Sequence, residues 1–428
     1  MVAQPVLGAW LLLRLRKGKS REGWAERWGR LDESLAAKSR PRVWVHAASV
    51  GEVMAATPIL KEYRARRPGD EIIATVITPG GHEIASGMAG RLVDRVFYAP
   101  FDVPSAVGRA VRAIQPDLYV GLETELWPNL LHSVRRSGAR LAVVNGRLSD
   151  RHFPRYLRLR PLLRRVVANF DRILAQTAAD AERFRAIGAP SARVEVFGNA
   201  KFDEAEKPLT EDERHALRQE LKIDEAAPVL VVGSTRTAEE ERMVFEAYVE
   251  VRKTRKDLVL IHAPRHIDRA EEVESLMREH GLNPMRRSRM SESGGPVAHL
   301  ILDTFGELAR VYAVADVAFI GNSLTEPGGG QNLLQPLAQG VAVIYGPYMQ
   351  NFRDLSAMAE KAGVGFPVVD TGELTGRMEA LLSDPTGRSD IFARAIDLIE
   401  SNRGAAARYA DALVDLMVAP AASQDAGR

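Results

Sequence analysis

Short apolar runs alternate with amphipathic stretches along almost all of this 428-residue chain. In the first half, runs rich in β-branched residues occur at Val43–His46, Ile72–Thr78, Leu118–Gly121, Leu141–Val144, Arg172–Ala175 and Val194–Phe197. Stretches such as AATPILKEYRARR and TAADAERFRAI, which place apolar residues at helical spacing, lie between them. Strands that alternate with helices predict a parallel sheet covered by helices on both faces.

A polar stretch, KFDEAEKPLTEDERHAL, interrupts this alternation and predicts a connection between two domains. The pattern then resumes at Val229–Gly233, Leu258–His262, Leu300–Leu302, Val317–Gly321, Val341–Ile344 and Gly365–Val369. We therefore predict an α/β protein with two Rossmann-like, doubly wound domains and a ligand-binding cleft between them. The expected divisions are an N-terminal segment 1–40, domains 41–205 and 206–390, a C-terminal helix 391–417 that packs on either domain, and a frayed tail 418–428.

Composition excludes several classes of function. With 58 Lys and Arg against 56 Asp and Glu, the net charge of +2 gives no argument for a nucleic-acid partner. The absence of cysteine excludes disulfides, thiol nucleophiles and cysteine-ligated metals. No G-x-x-x-x-G-K-[ST] loop, G-x-G-x-x-G helix start or D-x-D pair is present, which disfavours nucleoside triphosphates, dinucleotides and a metal-held diphosphate.

The N-terminal segment contains VLGAWLLLRL, which is too short to span a bilayer and has no small-residue cleavage site after it. Between Arg14 and Arg40 there are nine basic and four acidic residues. This composition favours contact with an anionic membrane surface. The alternative is a first helix whose apolar face packs on the domain.

Two acidic motifs follow strands of the first half. Glu52 lies one short turn after the first strand in HAASVGEV, where Ser49 and Gly51 leave room for a ligand, and it is either a helix cap or a general base. In GLETELWPNLL, Glu123 leaves a strand end, and Glu125 is expected to point the other way if the chain stays extended. Surface or capping roles remain open for both glutamates of this second motif.

Three loops of the second half are candidate anion sites. Pro264 and Arg265 end a strand in LIHAPRH, where a guanidinium suits a phosphate or a base edge. Ser234 and Thr235 either cap a helix or meet an anion. In PGGGQNLLQP, glycines precede a helix expected to begin near Gln331, so that backbone N–H groups bind a phosphate unless the segment is only a flexible loop.

The segment RHFPRYLRLRPLLRR carries six arginines and no acid between Arg151 and Arg165. Such a run is typical of a solvated face, but its proline and aromatic residues indicate an irregular segment that contacts anionic substrates. Its aromatic residues are too few for a single-stranded nucleic-acid platform.

Taken together, these segments resemble the 3-deoxy-D-manno-octulosonic acid (Kdo) transferases of lipid A assembly. The resemblance covers nearly the whole chain and rests on the blocks WVHAASVGE, ETELWPNLL, NGRLSDR, GNAKFD, GSTR, APRH, FGEL, GGGQNLLQP and YGPYMQNF, in this order. It implies a GT-B glycosyltransferase that moves Kdo from CMP-Kdo to a hydroxyl of a phosphorylated lipid A precursor. The reaction is expected at the cytoplasmic face of the inner membrane, with peripheral or N-terminal attachment, without a metal and without a cofactor other than the donor.

The resemblance also implies roles for individual residues. Glu52 matches the general base of an inverting transfer, and Glu123 and Lys201 match positions that stabilise the transition state. The implied donor-binding residues are Ser234, Pro264, Arg265, Phe305, Gly306, Glu307, Gly329, Gly330, Gln331, Asn332, Leu333, Leu334 and Gln335. The implied acceptor-binding residues are Ser49, Gly51, Arg151, Arg155 and Arg158.

The chain departs from the family pattern at Gln335, where a glutamate suited to the ribose hydroxyls is usual. Glutamine still accepts one hydrogen bond but loses the charge-assisted strength, about 1 kcal/mol. Two alternatives stay open: another GT-B enzyme that uses a UDP-sugar or epimerises a sugar nucleotide, and a non-catalytic scaffold at a membrane surface.

Overall fold

The computed structural model describes residues 22–149 and 152–418, and these form two compact units. Of these described residues, the first unit contains those up to Glu204 together with Asn402–Val418, and the second contains Ala205–Ser401. Each unit is built around one seven-stranded sheet whose strands are all parallel. The expectations for the N-terminal apolar segment, for Arg151 and for the tail beyond residue 418 lie outside the described residues.

The sheet of the first unit has the strand order β3-β2-β1-β4-β5-β6-β7. Its strands are β1 (Arg42–Ala47), β2 (Glu71–Val76), β3 (Arg95–Tyr98), β4 (Leu118–Leu122), β5 (Arg140–Gly146), β6 (Arg172–Ala175) and β7 (Val194–Val196). The connections leave in opposite directions from β1 and β4, which are neighbours. Ligands bind parallel sheets at such a switch point, outside the carboxyl ends of the strands.

Helices cover both faces of this sheet. They are α1 (Trp24–Arg27), α2 (Val50–Arg66), α3 (Pro79–Ser86), α4 (Pro104–Ile114), α5 (Pro128–Arg136), α6 (Phe153–Arg158), α7 (Arg160–Val167) and α8 (Ala178–Ala186), with 3-10 turns at Glu33–Ala36, Ser191–Arg193 and Ala200–Glu204. The central strand β1 is buried on both faces because the sheet lies between two apolar clusters.

The second unit repeats this design with the strand order β10-β11-β9-β8-β12-β13-β14. Its strands are β8 (Val229–Thr235), β9 (Val259–Pro264), β10 (Met285–Arg286), β11 (His299–Ile301), β12 (Val317–Ile320), β13 (Ala342–Tyr345) and β14 (Gly365–Pro367). Its helices are α9 (Glu211–Glu220), α10 (Ala238–Arg252), α11 (Ala270–Glu279), α12 (Leu308–Val311), α13 (Leu334–Ala338), α14 (Arg353–Lys361), α15 (Thr371–Ser383) and α16 (Pro385–Asn402), with 3-10 turns at Ile267–Arg269, Arg287–Glu292 and Tyr312–Val314. Here the switch point lies between β8 and β12.

The C-terminal region differs from the single helix that the sequence predicts over 391–417. Helix α16 ends at Asn402, and Gly404 has φ +81°. A second helix, α17 (Ala405–Val418), follows. Asp203 accepts hydrogen bonds from the N–H groups of Gly404 (2.6 Å) and Ala406 (2.8 Å). Helix α17 packs on the first unit, where Tyr409 and Leu413 join the same apolar cluster as α2.

The arginine-rich segment is also more regular than predicted, because its described part forms α6 and α7 instead of an irregular loop. Every strand predicted from the sequence is present, whereas β3 and β10 were not predicted. Within residues 22–149 and 152–418, no helix has both the length and the apolar character needed to cross a bilayer.

Candidate active site

Glu52 lies in the first turn of α2, directly beyond the carboxyl end of β1. The Ser49 hydroxyl caps this helix by accepting a hydrogen bond from the Glu52 N–H (3.4 Å). The Glu52 carboxylate in turn accepts hydrogen bonds from the Ala48 N–H (2.6 Å, to Oε2) and from the Ser49 hydroxyl (3.3 Å, to Oε1). These bonds fix the carboxylate at the switch point of the first sheet.

The electrostatics of Glu52 are unlike those of a simple helix cap. Burial and then the charge of Glu125 raise its pKa to about 8, with a smaller contribution from Glu123, although the bonds from Ala48 and Ser49 act in the opposite direction. A group with this pKa exchanges its proton near neutral pH, as a general base must.

The space beside Glu52 is open. Gly51 is exposed, and a Cβ atom added to it would meet only the Ser49 Oγ, at 3.9 Å. Gly51 therefore leaves room for a substrate group next to the first turn of α2.

Glu123 follows β4, the neighbour of β1, and adopts a left-handed backbone conformation (φ +50°). Its carboxylate lies 3.4 Å from Lys201 Nζ, and the side chains are 17% and 28% exposed respectively. Asn145 at the end of β5 positions the turn that carries this lysine, because its Oδ1 accepts the Ala200 N–H (3.1 Å). The structure thus brings Glu52, Glu123 and Lys201 to one edge of the sheet. Asn145, in the NGR block, was missed by the sequence reasoning.

Glu125 does not point away from this edge, and the expectation that it would was wrong, because side chains two residues apart lie on the same face of an extended chain. The left-handed conformation of Glu123 turns the chain, and the Glu125 Oε2 comes to lie 3.3 Å from His46 Nε2 and accepts a hydrogen bond from Trp127 Nε1. Its charge acts on Glu52 more strongly than that of Glu123 does. Glu125 and His46 are therefore part of the site, although the sequence reasoning did not include them.

The glycine-rich segment of the second unit differs from its prediction. Helix α13 begins at Leu334 instead of near Gln331, because the Asn332 Oδ1 accepts the Leu334 N–H (3.0 Å). Gly329 (φ +124°) and Gly330 (φ +74°) adopt conformations that favour glycine, but their N–H groups donate to the carbonyls of Tyr348 (2.9 Å) and Asn322 (2.7 Å). These two N–H groups are therefore occupied within the protein and are not free to bind a phosphate.

Side chains at this segment fall into two groups. Leu333 and Leu334 are buried and belong to the core, so they contribute no side-chain contact to a ligand. Gln331, Asn332 and Gln335 are partly exposed. Gln335 stands at the position where the family resemblance leads one to expect a glutamate.

The loop after β8 also differs in detail. Thr237, not Ser234 or Thr235, caps α10 by accepting the Glu240 N–H (3.3 Å). Thr235 is buried and bonded to Glu241 Oε1 (2.7 Å), whereas Ser234 is partly exposed in a left-handed conformation (φ +63°). Of the two predicted hydroxyls, only that of Ser234 remains accessible.

A buried carboxylate joins the two loops at the switch point of the second sheet. Glu240 accepts hydrogen bonds from the N–H groups of Asn322 (2.7 Å), Ser323 (2.8 Å) and Leu324 (3.0 Å). Burial raises its pKa, but these three bonds oppose the shift. Glu240 thereby fixes the loop that leads to the glycine-rich segment, a role that the sequence reasoning did not foresee.

Five further donor-site candidates lie at or shortly after strand ends. Pro264 ends β9, and the side chain of Arg265 is exposed immediately after it. Phe305 is 83% exposed, which is unusual for an aromatic side chain, and Gly306 follows it with φ +82°. The Glu307 carboxylate is already engaged, because it accepts hydrogen bonds from Arg287 (3.1 Å) and from Thr304.

The arginine-rich helices present an exposed surface. Arg155 and Arg158 project from α6, and Leu157, Leu159 and Leu162, the last 54% exposed, lie among the basic residues. This combination of apolar and basic side chains suits the interfacial region of an anionic bilayer. Among the described residues, no cluster of three or more His, Asp or Glu is arranged to hold a metal ion.

Comparison with known proteins gives the family. The family model described as 3-Deoxy-D-manno-octulosonic-acid transferase (kdotransferase) matches residues 22–204. The 3-deoxy-D-manno-octulosonic acid transferase of Bordetella pertussis is 33% identical over 428 residues, covering 96% of each chain. That of Haemophilus influenzae is 30% identical over 417 residues, again with 96% of each chain covered. The chain belongs to the 3-deoxy-D-manno-octulosonic acid transferase family.

One relative of this Kdo transferase is a longer protein. A bifunctional glycosyltransferase/methyltransferase of Fusobacterium nucleatum is 33% identical over 357 residues, but the match spans only 54% of its length. The chain therefore corresponds to about half of that protein.

Solved structures show the fold class of this transferase. A glycosyltransferase from Rickettsia africae aligns with a TM-score of 0.55 at 11% identity, covering 90% of this chain and all of that one. A UDP-GlcNAc 2-epimerase from Neisseria meningitidis aligns with a TM-score of 0.57 at 11% identity, covering 88% and 99%. The two parallel α/β units are those of a GT-B protein, as predicted from the sequence, and likenesses at such low identity show nothing beyond the fold.

Proposed function

We propose that this glycosyltransferase transfers Kdo from CMP-Kdo to a hydroxyl of a phosphorylated lipid A precursor, with inversion at the anomeric carbon. The donor and the acceptor come from the family resemblance. The observation that carries the proposal is the carboxylate of Glu52, fixed at the switch point of the first sheet with a pKa of about 8 and open space beside it.

In the proposed reaction, the acceptor hydroxyl attacks the anomeric carbon of Kdo. A bond forms between the acceptor oxygen and that carbon, and the bond from the carbon to the phosphate oxygen breaks. CMP leaves with the electron pair, and the hydroxyl proton passes to Glu52. A carboxylate whose pKa lies near 8 has a high proton affinity and becomes available as a base as the pH approaches that value, which suits this step.

Glu123 and Lys201 are proposed to stabilise charge in the transition state. Their 3.4 Å pairing keeps an anionic and a cationic group together at the same edge of the sheet as Glu52. A preorganised pair of this kind needs little reorganisation when charge develops on the sugar and on the leaving group.

The second unit is proposed to hold CMP. Arg265 offers an exposed guanidinium beyond β9, and Phe305 offers an exposed aromatic face. Gln335 offers an amide oxygen for a ribose hydroxyl. We propose that the reaction uses no metal ion and no cofactor besides the donor.

The acceptor is proposed to lie at the cytoplasmic face of the inner membrane. Support comes from the exposed leucines at 157, 159 and 162, which lie among basic side chains that include Arg155 and Arg158. The guanidinium groups would pair with lipid phosphates while the leucines enter the apolar boundary. Ser49 and Gly51 would contact the accepting sugar beside Glu52.

An acceptor-dependent transfer assay tests this function. Purified protein is incubated with CMP-Kdo and a phosphorylated lipid A precursor, CMP release is followed, and the lipid product is analysed by mass spectrometry. We expect CMP release only with the acceptor present, together with a lipid product that carries added Kdo. The reaction of a UDP-sugar in place of CMP-Kdo would instead support another GT-B enzyme, and no turnover with either donor would support a scaffold.

A further inference from the structure

Glu125 is a buried carboxylate at the edge of the first sheet to which the proposed reaction assigns no role. Its side chain is 11% exposed, and its Oε2 accepts a hydrogen bond from Trp127 Nε1. The same oxygen lies 3.3 Å from His46 Nε2, and the other ring nitrogen of His46 is bonded to the Thr75 hydroxyl (2.9 Å). The Trp127 hydrogen bond therefore holds the negative charge of Glu125 beside the His46 ring.

The backbone makes room for this arrangement. Gly121 on β4 pairs with His46 on β1, and a Cβ atom added at Gly121 would lie 3.4 Å from the Tyr119 ring and 3.8 Å from the Glu125 Cβ. The Tyr119 ring thus extends along the strand over Gly121 toward Glu125. Both the Tyr119 hydroxyl and the His46 Nε2 are buried without a hydrogen bond among the described residues. Such atoms are rare in protein interiors unless they serve a function or contact a water.

Glu125 and Glu52 both lie at the carboxyl end of β1, because Glu125 Oε2 is 3.3 Å from His46 Nε2 and the Glu52 carboxylate accepts the Ala48 N–H (2.6 Å). After burial, the Glu125 charge is the largest contribution to the raised pKa of Glu52, and it exceeds that of Glu123. Glu123 is paired with Lys201 at 3.4 Å, so part of its charge is compensated.

We propose that Glu125 is a positioning residue of the transfer reaction, whose negative charge, held beside His46 by the Trp127 hydrogen bond, makes Glu52 a stronger base. The inference rests on the proposed role of Glu52 as the general base. A like charge nearby favours the protonated form of a carboxyl group, and a base with higher proton affinity removes a hydroxyl proton more effectively.

The other groups that face Glu125 from the surrounding elements do not supply a second negative charge that would act on Glu52. His46 on β1 and Trp127 before α5 contact it directly. The Glu125 charge contributes, together with burial, to a raised pKa of Tyr119 on β4 and of Tyr156 on α6. Neither phenol ionises near neutral pH.

Asp102 lies nearby and contributes to the raised pKa of Tyr119. Its own carboxylate accepts hydrogen bonds from the N–H groups of Asn129 (3.2 Å) and Leu130 (2.7 Å), and burial raises its pKa. Its charge is not among the main causes of the Glu52 shift. Of the neighbouring carboxylates, Glu125 therefore has the largest effect on the pKa of Glu52.

The substitution Glu125→Gln tests the proposal, because it removes the charge and keeps an oxygen that accepts the Trp127 hydrogen bond. Protein labelled with ¹³C at the glutamate side-chain carboxyl carbon is titrated by NMR, and the Glu52 signal is assigned by its loss in Glu52→Gln. We expect the titration midpoint of Glu52 to fall by about one pH unit in Glu125→Gln. The acidic limb of the kcat/KM profile should shift by the same amount, and the rate at alkaline pH should fall several-fold.

Two further variants complete the design. Glu125→Asp retains the charge and should return the Glu52 midpoint toward its original value. Glu83→Gln removes an exposed carboxylate on α3 and should leave the midpoint unchanged. Thermal unfolding of each variant confirms that it is folded.

The possible results separate this inference from the proposed function. An unchanged Glu52 midpoint in folded Glu125→Gln overturns the inference. A shifted midpoint with an unshifted kcat/KM profile supports the electrostatic link but overturns the assignment of Glu52 as the base. Parallel shifts of both support the inference and the assignment together.

Discussion

The substitution Glu52→Gln should stabilise the protein at alkaline pH while removing its proposed base. In the folded protein the pKa of Glu52 is about 8, against an ordinary value of 4.5, so the folded state holds this proton more tightly than the unfolded state does. The resulting contribution to stability is fully present below about pH 4.5 and is lost as the pH rises through about 8. Glutamine, which is always neutral, loses nothing over this range.

The size of the effect follows from the two pKa values. A difference between 4.5 and about 8 corresponds to an upper limit of about 5 kcal/mol in the free energy of unfolding. Water penetration and relaxation around the ionised carboxylate reduce this limit. Glutamine still offers an oxygen to the Ala48 N–H. We expect Glu52→Gln to be about 2 kcal/mol more stable than the native protein at pH 9, or about 4–8 °C in Tm.

Thermal unfolding followed by circular dichroism at pH 5 and pH 9 measures the effect. The control is Glu83→Gln, which removes an exposed carboxylate from α3 and should show little change at either pH. An equal Tm of Glu52→Gln and the native protein at pH 9 would refute the raised pKa of Glu52. A gain in Tm that is equally large at pH 5 would refute it as well.

Three other perturbations test separate parts of the account. Lys201→Met should lower the transfer rate about a hundredfold without changing CMP affinity, because the charge beside Glu123 is needed only in the transition state. Weakened CMP binding in calorimetry would contradict this. Gln335→Glu should tighten CMP binding about fivefold by restoring a charged acceptor for the ribose, and unchanged or weaker binding would count against a ribose contact. Replacing Leu157, Leu159 and Leu162 by serine should reduce sedimentation with anionic vesicles, and undiminished binding would exclude this surface as the membrane contact.

The sequence was sufficient to predict most of the fold, because buried parallel strands are continuous apolar runs. The strand at Arg172–Ala175 has the predicted bounds, and the others agree within a few residues. The exceptions are β3, whose four residues include Arg95, and β10, which consists of Met285 and Arg286. Short edge strands with polar residues bury too little apolar surface to produce such a pattern.

The site was harder to predict, because it depends on backbone conformations that deviate from regular structure. The positive φ of Glu123 turns the chain directly after β4, and a single sequence gives no sign of it. In the loop after β8, several hydroxyl residues were equally good caps, and the structure uses Thr237. The glycines of the second unit suggested free N–H groups, yet Gly329 and Gly330 use theirs in hydrogen bonds to other loops.

The role of Glu52 as general base is tested most directly by a single-turnover measurement. Rapid quench of enzyme, CMP-Kdo and excess lipid acceptor gives the transfer rate for the native protein and for Glu52→Gln, and calorimetry gives their CMP affinities. We expect Glu52→Gln to transfer Kdo at a rate lower by at least about a hundredfold with its CMP affinity unchanged. Transfer by Glu52→Gln at a near-native rate would contradict the assignment of Glu52 as the general base.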